Sequence, residues 1–383
     1  MKKNFLLVLA AICLMNCGGS QIDPNKPLTI GSLGPLSGPE ANYGELANNI
    51  LKMHLKKVNA AGGIQGQQIA LDARDGGCDV IKALNEAESL IEADIKIIIG
   101  GVCSAETLSI ATTTEAQRIL LLSTFSTHPN IKSAGDYIYR TVPSDDTQGA
   151  ILADYASARN YQNGVIISEE KTYAEGITSV FSEAAEKHNL NLTRINFQFQ
   201  TIAELQEKFA EIQSNPEIDF VLIVVQNFES FAKIIQQLNA LNFNKPLLVN
   251  DVVVDEQQTE IANQHAVLTR TKAVGANFAA PQGKAWEAFE QHYQDTYHEP
   301  LPYPSYAATT VIGIQMIIEV LKQAENPNKP KEIKKLLDQL EFNSNFYQAP
   351  LSFDENGEIK GISYLMYAYD PKQQKFIPTQ STK

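Results

Sequence analysis

Ile95-Lys96-Ile97-Ile98-Ile99-Gly100-Gly101-Val102-Cys103-Ser104 reads as an apolar strand that runs through two glycines to a serine placed to open a helix. A short run such as Ile97-Ile98-Ile99, apolar at successive positions, suits a strand covered on both faces, which is the condition of a parallel sheet packed between helices. The flanking sequence repeats the unit. Upstream lie a strand at residues 28–33, a helix at 43–61, a strand at 68–73 and a helix at 80–92; downstream come a helix at 105–118 and the strand Leu120-Leu121-Leu122. In the first helix Leu46, Ile50 and Met53 recur at helical spacing while Lys52, Lys56 and Lys57 are left for solvent. The turn Gly62-Gly63-Ile64-Gln65-Gly66 ends it. This order predicts an α/β fold with a doubly wound parallel sheet.

The pattern starts again after Pro143, with helices at 148–159, 176–188, 203–214 and 228–241 alternating with strands at 164–168, 192–199, 220–225 and 246–250. A strand at 272–276, helices at 284–297, 305–324 and 331–339, and strand-like segments at 349–354 and 361–369 follow. Late helices after two complete-looking sheets imply that the chain returns to its first lobe. The expected division is residues 28–142 and 277–345 for lobe 1, and 143–276 and 346–383 for lobe 2, joined by a multi-strand hinge that supports open and closed states. In such sheets ligands bind beyond the carboxyl ends of the strands.

The N-terminus has the layout of an export signal: Lys2 and Lys3, an apolar run from Phe5 to Met15, then small residues after Cys17. Residues 1–19 are read as signal and anchor region and residues 20–27, polar with two prolines, as a tether. No later apolar stretch reads as a membrane span, and the remaining length suits two domains. The net charge of −13, without a basic block, argues against nucleic acid as a partner. Of the four cysteines, Cys13 and Cys17 lie at the signal, which leaves Cys78 and Cys103 as an even pair in a chain bound for an oxidising compartment. A disulfide between them closes a loop of about 25 residues, and two separate buried thiols are the alternative.

Ser104, beside the free backbone N–H groups of a helix start, favours an anion such as a carboxylate. From position alone, a plain N-cap explains Ser104 better. The polar loop Ser123-Thr124-Phe125-Ser126-Thr127-His128-Pro129 at the matching sheet edge offers hydroxyls and carbonyls for both ends of a zwitterion, and a solvated turn reads the same. Catalytic signals are missing from the sequence: the six histidines form no pair at metal-ligand spacing, and there is neither a Gly-x-Ser-x-Gly elbow nor a phosphate-binding glycine loop. No enzyme activity, metal or cofactor is expected.

Taken in order, Gly31 to Gly44 with Leu36-Ser37-Gly38-Pro39, Asn59-Ala60-Ala61-Gly62-Gly63-Ile64-Gln65-Gly66, Cys78-Asp79, Gly100 to Ser104, Tyr173-Ala174-Glu175-Gly176 and Ser305-Tyr306-Ala307-Ala308 resemble the type I periplasmic binding proteins that serve ABC transporters for leucine, isoleucine and valine. The resemblance covers nearly all of the chain after the signal. It implies a ligand carboxylate held by Ser104 and Thr127, and an ammonium group meeting a carbonyl in the loop of Phe125 and Ser126 and an acid from the second lobe, Asp251. Walls would come from Tyr43, Tyr173 and Tyr306, which as bare sequence features are better read as packing. The family's disulfide falls on Cys78 and Cys103. Leu14-Met15-Asn16-Cys17 resembles a lipobox, implying lipidation at Cys17, although Asn16 stands where a small residue is usual and simple cleavage is the alternative. Three departures bear on specificity: Phe125 stands in place of a small residue, Gln226 in place of an aromatic one, and Asp251 is one methylene shorter than the usual Glu. They point away from leucine itself and leave the amino-acid class, with amides, urea and aromatic acids as relatives' ligands. The implied setting is the periplasm or cell envelope, with a membrane permease as partner and a monomeric protein; a sensory module is the competing role.

Overall fold

The computed structural model describes residues 26–255 and 263–379. The signal region and Cys17 therefore lie outside the described residues. The first unit consists of β1 (Leu28–Gly34), α1 (Ala41–Ala60), β2 (Ile69–Asp75), α2 (Val80–Glu92), β3 (Ile97–Gly100), α3 (Ser104–Ala116), β4 (Leu120–Ser123) and β5 (Ile138–Arg140). Its strands form a parallel sheet in the order β2-β1-β3-β4-β5. Period-two alternation decides which core each side chain joins: Ile97 and Ile99 of β3 enter the core shared with α1, while Ile98 between them enters the core under α2 and α3. Both faces of the strand are covered, which is why the run is apolar at every position. Gly100 is required where β3 passes β1, since a Cβ there would stand 2.1 Å from the Leu33 carbonyl oxygen.

The second unit contains α4 (Asp145–Ala158), β6 (Asn163–Glu169), α5 (Thr172–Lys187), β7 (Asn191–Phe197), α6 (Leu205–Ser214), β8 (Phe220–Val224), α7 (Phe228–Ala240), β9 (Leu247–Val249), α8 (Asp251–Asp255), α9 (Gln264–Arg270) and β10 (Val274–Phe278). The chain then makes α10 (Lys284–Tyr297), α11 (Pro304–Gln323), α12 (Pro330–Asp338), β11 (Ser352–Phe353), β12 (Ile359–Lys360), β13 (Tyr364–Asp370) and β14 (Lys375–Pro378). The second sheet runs β14-β13-β10-β9-β8-β6-β7. Phe220, Leu222 and Val224 of β8 face one core, and Val221 and Ile223 the other.

The architecture is the expected mixed α/β fold of two lobes, with four differences of detail. β5 joins the first sheet at its edge although Ile138-Tyr139-Arg140 is too short to give a periodic signal. β13 and β14 close the second sheet antiparallel, not parallel. The segment expected to enter lobe 2 at residue 346 stays with the first sheet as far as β12, because Arg140, fully buried in β5, needs a partner. Its guanidinium pairs with Glu358 at 2.5 Å, and its backbone N–H donates to the Gly357 carbonyl at 2.9 Å. Finally, α11 is long and apolar enough to cross a membrane, contrary to the sequence reading, but 83% of its apolar window is buried, and it packs on α1 as a core helix.

Connections at about residues 141–144, 279–283 and 361–363 pass between the two sheets. The units also touch across the cleft. Tyr306 on α11 donates to Asp251 at 2.6 Å, and the Tyr43 hydroxyl on α1 donates to the Gln226 carbonyl at 3.1 Å.

Candidate ligand-binding site

A cavity of about 40 Å³ lies between the carboxyl ends of the two sheets. Tyr43, Val102, Cys103, Ser104, Phe125 and Tyr306 line it from the first side, and Tyr173, Gln226 and Val252 from the second. Of the residues anticipated for the site, Tyr43, Ser104, Phe125, Tyr173, Gln226 and Tyr306 are thus brought together. Ser126, Thr127 and Asp251 sit behind the walls.

The wall carrying Ser104 is held from several directions. Hydroxyls of Thr107, Ser123 and Ser126 all donate to the Gly101 carbonyl, at 2.9, 2.9 and 3.0 Å. Glu106, buried beneath the helix start, accepts from the backbone N–H groups of Cys78, Val102 and Cys103, each at 3.0 Å. Burial outweighs those N–H donors and pushes its carboxyl up to about 7. Cys78 and Cys103 form a disulfide with Cα atoms 5.4 Å apart. Ser104 itself is only 2% exposed, and its Oγ has no hydrogen-bond partner. A buried hydroxyl without a partner costs about 1–3 kcal/mol, and this one stands at the N-terminus of a 13-residue helix on the cavity wall. Phe125 turns inward and stacks on Tyr306, centroids 5.0 Å apart and planes 14° from parallel.

The opposite wall is a finished network. Asp251, fully buried, accepts from the hydroxyls of Tyr173 and Tyr306 and from the Val252 N–H, while its own N–H donates to Gln148 Oε1 at 3.1 Å. Gln148 in turn donates to Asp145 at 2.8 Å, and Asp145 also accepts from Thr127 Oγ1 at 2.7 Å and the Tyr364 hydroxyl at 3.2 Å. No cation pairs with either carboxylate among the described residues. Burial raises both carboxyls, and the neighbouring Asp251 charge raises Asp145 further. Thr127, expected on the ligand, is spent on Asp145, and Ser126 on the Gly101 and Val102 carbonyls.

Sequence reading missed Glu106, Asp145 and Gln148. Glu106 had a visible signal, since a glutamate three residues after the cap position Cys103 has capping-box spacing. Asp145 and Gln148 show only the ordinary acid and amide of a helix's first turn.

Two α/β lobes with an inward-facing hydroxyl and aromatic walls define a cleft-type binding protein. The profile of the family described as periplasmic binding protein matches residues 27–372, and the chain belongs to that family. It is 25% identical over 345 residues to the Leu/Ile/Val-binding protein of Escherichia coli K12, covering 88% of this chain and 90% of that one. Among solved structures it is similar to an ABC transporter substrate-binding protein from Desulfitobacterium hafniense in complex with Leu (TM-score 0.71, 19% identity, 92% of this chain and 100% of that one). A solute-binding protein from R. palustris in complex with benzoate is also similar (TM-score 0.77, 18% identity, 92% and 95%).

Proposed function

We propose that this chain is an extracytoplasmic solute-binding protein that closes its lobes on a small amino acid and presents it to an ABC permease. The observation that carries the reading is the unpartnered, buried Ser104 Oγ at a helix N-terminus in the cleft, which suits a ligand carboxylate. The ammonium group has a less direct seat. Tyr173 and Tyr306 line the cavity and spend their hydroxyl protons on Asp251; the Tyr173 oxygen also accepts from Asn250 Nδ2 at 2.8 Å, so the Tyr306 oxygen is the one left with lone pairs for a donor, with the carboxylate's charge one bond behind. Asp251 thus acts through Tyr306.

Binding, not catalysis, is supported by the lining: no histidine or carboxylate is among the described residues that wall the cavity, so Ser104 has no base there to activate it. We take lobe 1 as residues 28–140 and 284–360 and lobe 2 as 145–278 and 364–379, with the protein monomeric, in the cell envelope, and lipid-anchored through Cys17. The kinship to Leu/Ile/Val binders supports the amino-acid class and the transporter. A second reading, an aromatic carboxylate without an ammonium group, draws on the already satisfied Asp251, the Phe125–Tyr306 stack and the benzoate-bound relative.

A thermal-shift screen of the chain from residue 20 onward, disulfide intact, tests both. A ligand at 100 times its dissociation constant adds about 2.7 kcal/mol. Amino acids should raise the melting temperature and their deaminated analogues should not; the reverse pattern selects the second reading, and a response to neither discards both.

A further inference from the structure

Glu40 stands at the N-cap position of α1, yet its side chain makes no capping bond. It is 2% exposed, and its carboxylate reaches across the cleft. There it accepts from Gln226 Nε2 at 3.0 Å and lies 3.5 Å from the Lys171 ammonium. The backbone of Gln226 is fixed as well. Its N–H donates to Glu169 Oε2 at 2.8 Å, and its carbonyl accepts from the Tyr43 hydroxyl at 3.1 Å. An ionised carboxylate only accepts hydrogen bonds, so the NH₂ end of the Gln226 amide must face Glu40. The amide oxygen is the end left over. Gln226 walls the cavity, and its Oε1 receives no hydrogen bond among the described residues.

We propose that Glu40 is a positioning residue that locks Gln226 with its amide oxygen available to the ligand, so that the site selects amino acids whose side chain carries a hydroxyl or amide donor over apolar isosteres. The inference rests on the amino-acid reading above and narrows it. An apolar side chain of the same shape leaves Oε1 desolvated and unpaired, and a site built around a hydrogen bond discriminates against the analogue that lacks it far more strongly than a greasy pocket discriminates by size. Glu40 and Gln226 come from opposite sides of the cleft, so the acceptor is set in place only when the lobes meet.

The test is titration calorimetry of the chain from residue 20 onward with two near-isosteric pairs, threonine against valine and asparagine against leucine, plus alanine as a ligand without either feature. In the unmodified protein the donor-bearing member should bind at least about tenfold more tightly. Gln226→Leu should erase or invert that ratio. Glu40→Ala should reduce it to within about threefold, because the freed amide can turn either end inward, whereas Glu40→Gln, whose Oε1 still accepts from Gln226 Nε2, should restore it. The readout is the ratio within each pair, which a general loss of closure or stability lowers for both members alike. If Glu40→Ala does not fold, Gln226→Leu and Lys171→Met, the latter expected to keep the ratio, carry the test. Equal binding of threonine and valine by the unmodified protein, or an undiminished ratio in Glu40→Ala, overturns the proposal while the amino-acid reading stands. Failure of all five ligands overturns both.

Discussion

The two walls of the cleft are built on opposite plans. On the first side the Gly101 carbonyl and the Val102 and Cys103 N–H groups are tied down, and one side-chain hydroxyl, Ser104 Oγ, is left without a partner. On the second side the charged group, Asp251, is fully satisfied by tyrosine hydroxyls and by backbone, and lies behind the surface. A polar atom left unsatisfied inside a rigid frame is a preorganised contact, because no protein bond has to be broken to use it. A satisfied carboxylate works instead as scaffold, and as a source of charge behind the groups that line the cavity. Removing the key residue of each wall should therefore have opposite signatures.

The largest effect is expected at Asp251. Asp251→Ala strands two buried tyrosine hydroxyls, so the apo protein should lose roughly 3 kcal/mol of stability in denaturant unfolding, and ligand-induced shifts should vanish. An unchanged stability would show that the second wall is not held by this carboxylate. Next is the disulfide: Cys78→Ala with Cys103→Ala should cost about 3 kcal/mol on the chain-entropy scale and weaken binding by loosening the frame around Ser104. At Ser104 the pattern inverts. Ser104→Ala should leave apo stability unchanged or raise it by up to about 1–3 kcal/mol, since no protein bond is lost and a buried unpaired hydroxyl is removed, yet weaken a carboxylate ligand about 10- to 100-fold, the worth of a hydrogen bond to a charged group. A destabilised Ser104→Ala would mean the hydroxyl is structural after all.

The smallest effect is a slope with pH. Glu106, ordinarily near 4.5, is pushed up to about 7, and Asp255, buried against Ser305 and Asn277, from 3.8 to about 7. Between the unfolded and folded values the folded protein holds protons that the unfolded chain has released. Their contribution to stability is therefore present below about pH 4 and lost as pH rises through 7. The apo melting temperature should accordingly fall from pH 5 to 8, and Glu106→Gln should flatten part of that slope while Ser104→Ala leaves it unchanged.

Much of this was legible in advance because burial on both faces writes itself into strands such as Ile97–Ile99 and Phe220–Val225 as unbroken apolar runs, separated by helices of amphipathic period. The short elements were not. β5 is three residues long and exists as the sheet edge beside β4, and β11 and β12 form a two-residue ladder beside it. Within the site, Tyr43, Ser104, Phe125, Tyr173, Gln226 and Tyr306 were marked by the resemblance to the family, and the cavity brings them together. That Thr127 serves Asp145 and that Asp251 is screened by two phenols depends on helices α4, α5, α8 and α11 meeting from distant parts of the chain.

The linear sequence by itself determined the alternation of strands and helices and, through its motifs, the family, and it marked Cys78 and Cys103 as an even pair that the structure joins, because each rests on local periodicity, on spacing or on residue type. Only the tertiary structure decided which polar atoms are already spent and which remain free. A hydroxyl's or amide's partner is set by groups brought within 3 Å from more than a hundred residues away, as with Glu40 and Gln226, and no local pattern encodes that distance.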